Sequence, residues 1–177
     1  MPKPEVIPCT IAGDFILTQD TDLARELFNQ GRFGSLQHKR VALSFFEALY
    51  LFENEKIVVL DGKSKEMSHE ALLRRSQQKD KQFWTKYAVF RDLRSRGYTV
   101  KTALKFGADF RVYDRGVKPG EDHAKWVVYP VYESETMTWH EFSSKNRVAH
   151  STKKRLLLAV VDEEGDVSYW ETRWLRP

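Results

Sequence analysis

Thiols are almost absent: Cys9 is the single cysteine in 177 residues. That excludes an internal disulfide and any zinc cluster built on thiolates. Long apolar runs are missing too. The longest aliphatic stretch, Leu156 to Val161, is far short of the roughly 20 residues that a membrane-spanning helix needs. The start, "MPKPEVIPCT", lacks the basic-then-apolar order of a secretory leader. Neither an internal repeat nor a low-complexity tract interrupts the chain. These absences point to a soluble, cytoplasmic protein with no membrane partner.

What is present suits a folded chain. A hydrophobic content of 41% with 13% aromatics can build a core, and 31% charged residues can solvate its surface. The length fits one ordinary domain or two small ones. The net charge of +4 is compatible with a polyanionic partner without requiring one. Basic residues crowd into "FRDLRSRGY" (90–98) and "KNRVAHSTKKR" (145–155), whereas acids gather in "DEEGD" (162–166). Each such cluster also reads as an ordinary solvated face.

Periodicity divides the chain in two. In the first half "DFILT" has strand character, and "TDLARELFNQG" reads as a helix ending at Gly31. "SFFEALYLFENE" carries Ser44 and Glu47 in capping-box spacing. "KIVVLDGKS" is a strand running into an Asp-Gly turn, and "SHEALLRRSQQKDK" a helix with Ser68 at its N-cap. Its polar tail, roughly 76–82, is the expected linker. Beyond it Phe83, Tyr87, Phe90 and Leu93 make one helical stripe, with Gly97 suited to the C-cap. "YTVKTAL", "DFRVYD" and "KWVVYPVY" follow as strands, then a short helix over "TWHEFSSKNRVAH" with Thr138 and Glu141 again in capping-box spacing. A closing hairpin turns through "DEEGD". The expectation is an α/β (α+β) chain of two domains, 1–82 and 83–177.

The stretch "FGADFRVYDRGVKPGEDHAKWVVYP" (106–130) sets Tyr113 and His123 on the two lips of one loop, and Lys154 opens a later strand. Strand ends and loops at one sheet edge are where reactive groups collect. If these three converge, they suit internal attack by a ribose 2'-hydroxyl on its own phosphodiester. That reaction needs a base for the hydroxyl proton, an acid for the departing 5'-oxygen and a cation for the pentacoordinate phosphate. Histidine is the natural acid and lysine a compact cation. A tyrosine is an awkward base, with an ordinary pKa of about 10, unless a neighbouring cation favours its phenolate. No step calls for a metal, and neither metal nor cofactor is expected. Taken singly, each residue also has a plain reading: a strand-end tyrosine, a surface histidine, a solvated lysine.

Longer motifs narrow the choice. "SFFEALYLFE" looks like the N-terminal helix of the archaeal tRNA-splicing (tRNA-intron) endonucleases. "FRDLRSRGYTVKTALKFGADFRVYDRG" is similar to the start of that family's catalytic domain. "HAKWVV" resembles its histidine segment, and "RVAHSTKKRLLLAVVDEEGDVSYW" its lysine segment and final hairpin. The resemblance covers most of the chain, in order. It implies a small mixed α/β N-terminal domain followed by a nuclease-like mixed sheet.

Carried over residue by residue, the resemblance puts the catalytic tyrosine at Tyr113, the histidine at His123 and the lysine at Lys154, not Lys153. The roles implied are general base, general acid and transition-state cation. It also implies arginines that clamp an extruded base by cation–π stacking: Arg147 in "RVAH" and, on a looser match, Arg173 in "SYWETRW". The implied substrate is precursor tRNA folded as a bulge–helix–bulge, cut twice without metal to leave 2',3'-cyclic phosphate and 5'-hydroxyl ends. Two bulges call for two sites at a fixed distance, hence a homotetramer, or a heterotetramer with a structural subunit. Asp162, Glu163, Glu164 and Asp166 match the acidic loop through which subunits dock. Two other classes compete. One is a non-catalytic RNA-binding scaffold; the other is a metal-dependent nuclease using Asp109 and Glu121, for which a clean Asp…Glu-x-Lys pattern is lacking.

Overall fold

The computed structural model describes residues 5–177; the first four residues, which open the stretch read above for a leader, and the Phe106 side chain lie outside the described residues. The chain forms two compact units, Met1–Phe83 and Trp84–Pro177. No helix among the described residues is long and apolar enough to cross a membrane.

The first unit is a five-stranded mixed sheet with helices. Its elements run β1 (Ile7–Ala12), β2 (Phe15–Thr18), α1 (Asp22–Asn29), β3 (Ser35–Gln37), β4 (Arg40–Leu43), α2 (Phe45–Glu53), β5 (Ile57–Leu60) and α3 (His69–Lys79), with strand order β3-β4-β2-β1-β5. Only β1 and β5 pair in parallel. Cys9 sits on β1 with no exposed surface, and burial pushes its thiol up to about 12, so it behaves as a small core residue.

One carboxylate fastens a corner of this unit. Glu47 is 95% buried on α2, and its oxygens accept from the Ser44 N–H and hydroxyl as well as from the Gly34 N–H. Ser44 in turn accepts from the Glu47 N–H, completing the expected capping box. A local helix-start signal therefore also anchors the loop before β3, thirteen residues upstream.

Two expectations change here. The tail read as a linker is helical through Lys79, because Ser76 is fully buried and returns its hydroxyl to the Leu72 carbonyl. Residues 80–82 alone separate α3 from the next helix. Strands β1, β3 and β4 went unread. Pro8 in β1 is a residue that argues against a strand interior, and β3 is three exposed residues long.

The second unit is a sheet flanked by two helices: α4 (Phe83–Ser95), β6 (Thr99–Thr102), β7 (Phe110–Tyr113), β8 (Trp126–Tyr132), α5 (Trp139–Ser151), β9 (Arg155–Val161) and β10 (Val167–Thr172). α4 opens on the last residue of the first unit. The strand order is β10-β9-β8-β7-β6, antiparallel except for β8 with β9. The predicted stripe Phe83, Tyr87, Phe90 and Leu93 is buried throughout, and Phe90 packs on Phe110 of β7. α4 ends as predicted at Gly97 (φ +88°), with Gly97 N–H donating to the Arg94 carbonyl and Tyr98 N–H to that of Leu93. "YTVKTAL" is strand only to Thr102; Leu104 leaves the sheet in a single exposed 3-10 turn.

Two glycines provide a stability test. Gly13 (φ +63°) turns the β1–β2 hairpin in open space, whereas a Cβ on Gly34 (φ +67°) would lie 2.5 Å from Val41 Cγ1 and 2.6 Å from the Ala42 carbonyl oxygen. Gly13→Ala carries only the left-handed backbone penalty, about 1–2 kcal/mol. Gly34→Ala adds overpacking against the Val41 side chain and the Ala42 backbone, for a total of about 2–5 kcal/mol. Denaturant unfolding of both variants is expected to reproduce that ranking.

Candidate active site

Strand register gathers the chemistry at one edge of the second sheet. Val112 of β7 pairs with Trp126 of β8, which pairs with Arg155 of β9. Tyr113 and Lys154 each lie one residue beyond that row, and His123 three residues before β8. Chain segments from 113, 123 and 154 thus meet at the same sheet edge. A pocket of about 310 Å³ there is lined by Arg111, Tyr113, His123 and Lys154 together with Gly120, Glu121, Asp122 and Ala124 of the loop.

Each side chain is placed by a different device. Tyr113 closes β7 and is 95% buried. His123 is exposed on the loop's second lip, its N–H donating to Asp122 Oδ1 at 2.7 Å. The loop is tied at its base by Lys125, whose ammonium lies 3.1 Å from Asp114 Oδ2. That contact, with the Arg115 N–H, holds the Asp114 carboxyl below its ordinary range.

Lys154 owes its place to the end of α5. Lys153 adopts a left-handed conformation (φ +56°), its N–H donating to the His150 carbonyl while the Lys154 N–H reaches that of Ala149. This helix stop turns the chain into β9 and separates the two lysines. Lys153 is exposed, whereas Lys154 is half-buried in the pocket and donates to the Thr152 carbonyl at 3.0 Å. Burial, and secondarily the nearby Arg111 guanidinium, lower the Lys154 pKa.

Arg111 was not singled out from the sequence. The signal was available in the strand period: two residues before Tyr113, it shares Tyr113's face of β7. Its row-mates Val127 and Leu156 belong to the core cluster that packs against Ala149 of α5.

The two predicted clamp arginines lie on a second cavity of about 690 Å³, between α5 and the chain leaving β10. Arg147 reaches only Ser144 Oγ, at 3.5 Å, and Arg173 is paired with Glu171 at 3.0 Å. A smaller cavity of about 230 Å³ shares Lys154 with the pocket and Arg173 with the second cavity; the rings of His150 and Trp174 meet in it, tilted by 48°. The acidic loop forms the β9–β10 turn, where Asp162, Glu164 and Asp166 hold their carboxylates within 4.8 Å of one another, and the Glu163 N–H bonds Glu133. For the metal-nuclease alternative, Asp109 is ion-paired with Lys86 at 3.0 Å and does not line the pocket, whereas Glu121 does, beside Asp122.

The fold therefore describes a two-unit α/β chain whose second unit presents tyrosine, histidine and lysine in one polar pocket. Sequence comparison gives that class its family. Residues 83–169 match the model of the tRNA intron endonuclease catalytic C-terminal domain, and residues 7–73 that of the tRNA intron endonuclease N-terminal domain. The tRNA-splicing endonuclease of Thermococcus onnurineus is 41% identical over 97% of this chain and 98% of its own length. That of Methanothermobacter thermautotrophicus is 40% identical over 93% and 96%, and that of Nanoarchaeum equitans 44% over 76% and 90%. The chain belongs to the tRNA intron endonuclease family.

The lowered Lys154 pKa can be measured directly. By NMR of the ε-methylated lysines, Lys154 is expected to titrate below the ordinary lysine value of 10.5. Arg111→Met should move it part of the way back, because burial remains. The linkage sign follows: with the folded pKa below the unfolded one, the unfolded chain binds more protons between the two, so this lysine's contribution to stability rises with pH across that window.

Proposed function

We propose that this chain is a catalytic tRNA-intron endonuclease that cuts precursor tRNA at bulge–helix–bulge splice sites, with 1–82 as its N-terminal domain and 83–177 as its catalytic domain. The observation that carries the reading is the meeting of Tyr113, His123 and Lys154 in one pocket at a sheet edge. Their residue types fit 2'-hydroxyl attack, in which Tyr113 accepts the hydroxyl proton, Lys154 faces the charge on phosphorus and His123 protonates the departing 5'-oxygen. The reaction needs no metal in this form, and its products are 2',3'-cyclic phosphate and 5'-hydroxyl ends.

The two arginines support a base clamp. Arg147 and Arg173 line one cavity, the first on α5 and the second just after β10, and a base stacked there would need both. The acidic turn supports assembly. Three carboxylates crowded at an exposed hairpin tip repel one another, and a basic cleft on another subunit would relieve that repulsion. Asp162, Glu163, Glu164 and Asp166 are the docking contacts in this reading. The working form is a homotetramer, or a heterotetramer with a structural subunit, so that two pockets face two bulges.

Cleavage of a bulge–helix–bulge precursor by the purified chain in excess EDTA tests this. Two cuts with cyclic-phosphate ends are expected. His123→Ala should lower the rate by at least about a hundredfold while leaving RNA affinity within about twofold. Cleavage only after magnesium is restored would sink the tyrosine–histidine–lysine mechanism. Retained activity in His123→Ala would remove the histidine from it.

A further inference from the structure

Among the pocket residues one has no evident structural reason for its position. Arg111 projects from β7 beside Lys154, close enough that its charge is one cause of that lysine's lowered pKa. Its Nε is buried and without a hydrogen-bond partner, and among the described residues its guanidinium has neither a hydrogen bond nor an ion pair. Its Cζ lies 6.0 Å from the centroid of the Tyr113 ring. Three other arginines of this unit do find carboxylates: Arg96 meets Asp92, and Arg155 and Arg173 meet Glu171.

A half-buried guanidinium paired with neither Glu121 nor Asp122 of the same pocket, and set next to a second cation, is a costly arrangement. Each charge loses hydration and the two repel. A side chain kept there for packing alone would be better as a long apolar residue. The cost is recovered if the pocket receives an anion, and recovered most if that anion carries two charges.

We propose that Arg111 is a further catalytic residue, a phosphate-binding guanidinium that shares the scissile phosphate with Lys154. This inference rests on the proposed endonuclease function. In the reaction the 2'-oxygen–phosphorus bond forms as the phosphorus–5'-oxygen bond breaks. The 2'-hydroxyl proton passes to the Tyr113 phenolate oxygen, and His123 as imidazolium gives its proton to the 5'-oxygen. The phosphodiester enters as a monoanion and becomes a dianion at the pentacoordinate stage. One cation matches the first, two match the second. A pair of cations thus favours the transition state over the bound substrate, which raises rate more than affinity. A guanidinium also offers forked N–H donors, so it fixes the phosphate's orientation as well as its charge.

Single-turnover cleavage of a bulged precursor RNA at saturating enzyme reads this out. The proteins are wild type, Arg111→Gln and Arg111→Met, with RNA affinity and thermal unfolding measured in parallel. The methionine variant keeps the apolar stem and carries the test should the glutamine variant fail to fold. Expected is a rate loss of about 100–1,000-fold, as for removal of one oxyanion donor, with affinity changed by about twofold or less. Substrates with a single phosphorothioate of defined handedness at the scissile position supply the reading that a merely structural role would not move. Wild type should discriminate between the two diastereomers, and the Arg111 variants should lose that discrimination. A rate within about threefold of wild type overturns the inference, as does a slowed variant with unchanged thio selectivity. Absence of cleavage by wild type would instead strike at the endonuclease reading itself, and the inference would fall with it.

Discussion

The parallel pairing of β8 with β9 is the constraint on which the second unit depends. Antiparallel neighbours can be joined by a tight turn, but a parallel pair needs a crossover, and α5 supplies it. That geometry brings the beginnings of two strands to the same edge of the sheet. The antiparallel β7 arrives at this edge with its end. Three segments far apart in sequence therefore finish side by side, bringing Tyr113, the His123 loop and Lys154 together. Had β9 run antiparallel to β8, Lys154 would lie at the opposite edge. The helix stop at Lys153 completes the device, since a non-glycine residue held at positive φ costs about 1–2 kcal/mol. The surrounding contacts offset that cost, and the turn they hold points the chain into β9 at Lys154.

Electrostatics at this edge is organised in layers. The rim is balanced, with Asp114 against Lys125 and Glu121 within reach of Lys118. Inside, two cations, Arg111 and Lys154, line the pocket, with Glu121 and Asp122 on its loop. The outer pairs are solvent-exposed and contribute little to stability, but they fix the loop on which His123 rides. The buried face behind the pocket is apolar, with Val127, Leu156 and Ala149. A dry wall on one side strengthens charge interactions in front of it. The same wall desolvates Lys154, so packing and electrostatics of the site are one property seen twice.

Local signals were legible in the sequence where they act locally. Ser44 with Glu47, Thr138 with Glu141, Ser68 and Gly97 each mark a helix end by hydrogen bonds within a few residues, and all four occur as read. The buried α4 stripe was equally plain. What the sequence hid was whatever depends on distant partners. Strand β1 looks unlike a strand because of Pro8, yet it is held between β2 and β5. The polar tail of α3 looked like a linker, yet Ser76 is buried by its surroundings. Tyr113, His123 and Lys154 were identifiable by motif, while their meeting needed the register of three strands. Arg111 escaped notice because it belongs to no helix cap and no obvious charge run. Its place in the pocket beside Lys154, a fact of the folded chain, sets it apart.

Glu171 shows how the end of the sheet can serve two tasks. It accepts from the Trp126 indole N–H at 2.8 Å and from Arg155 at 3.1 Å, stitching β10 to β8 and β9, and these contacts with Arg173 depress its pKa. Arg173, the looser of the two clamp candidates, is thus already engaged. Its side chain is 57% exposed, however, and a pair of that kind is worth about 0–1 kcal/mol. Stacking of an unpaired base on a guanidinium is worth about as much or more. Glu171 keeps two other donors when Arg173 leaves, so releasing the arginine strands no charge in the sheet. In the proposed clamp the ion pair would be a rest position for Arg173 and no obstacle to stacking. Arg147, held by a single long contact to Ser144, needs no such release.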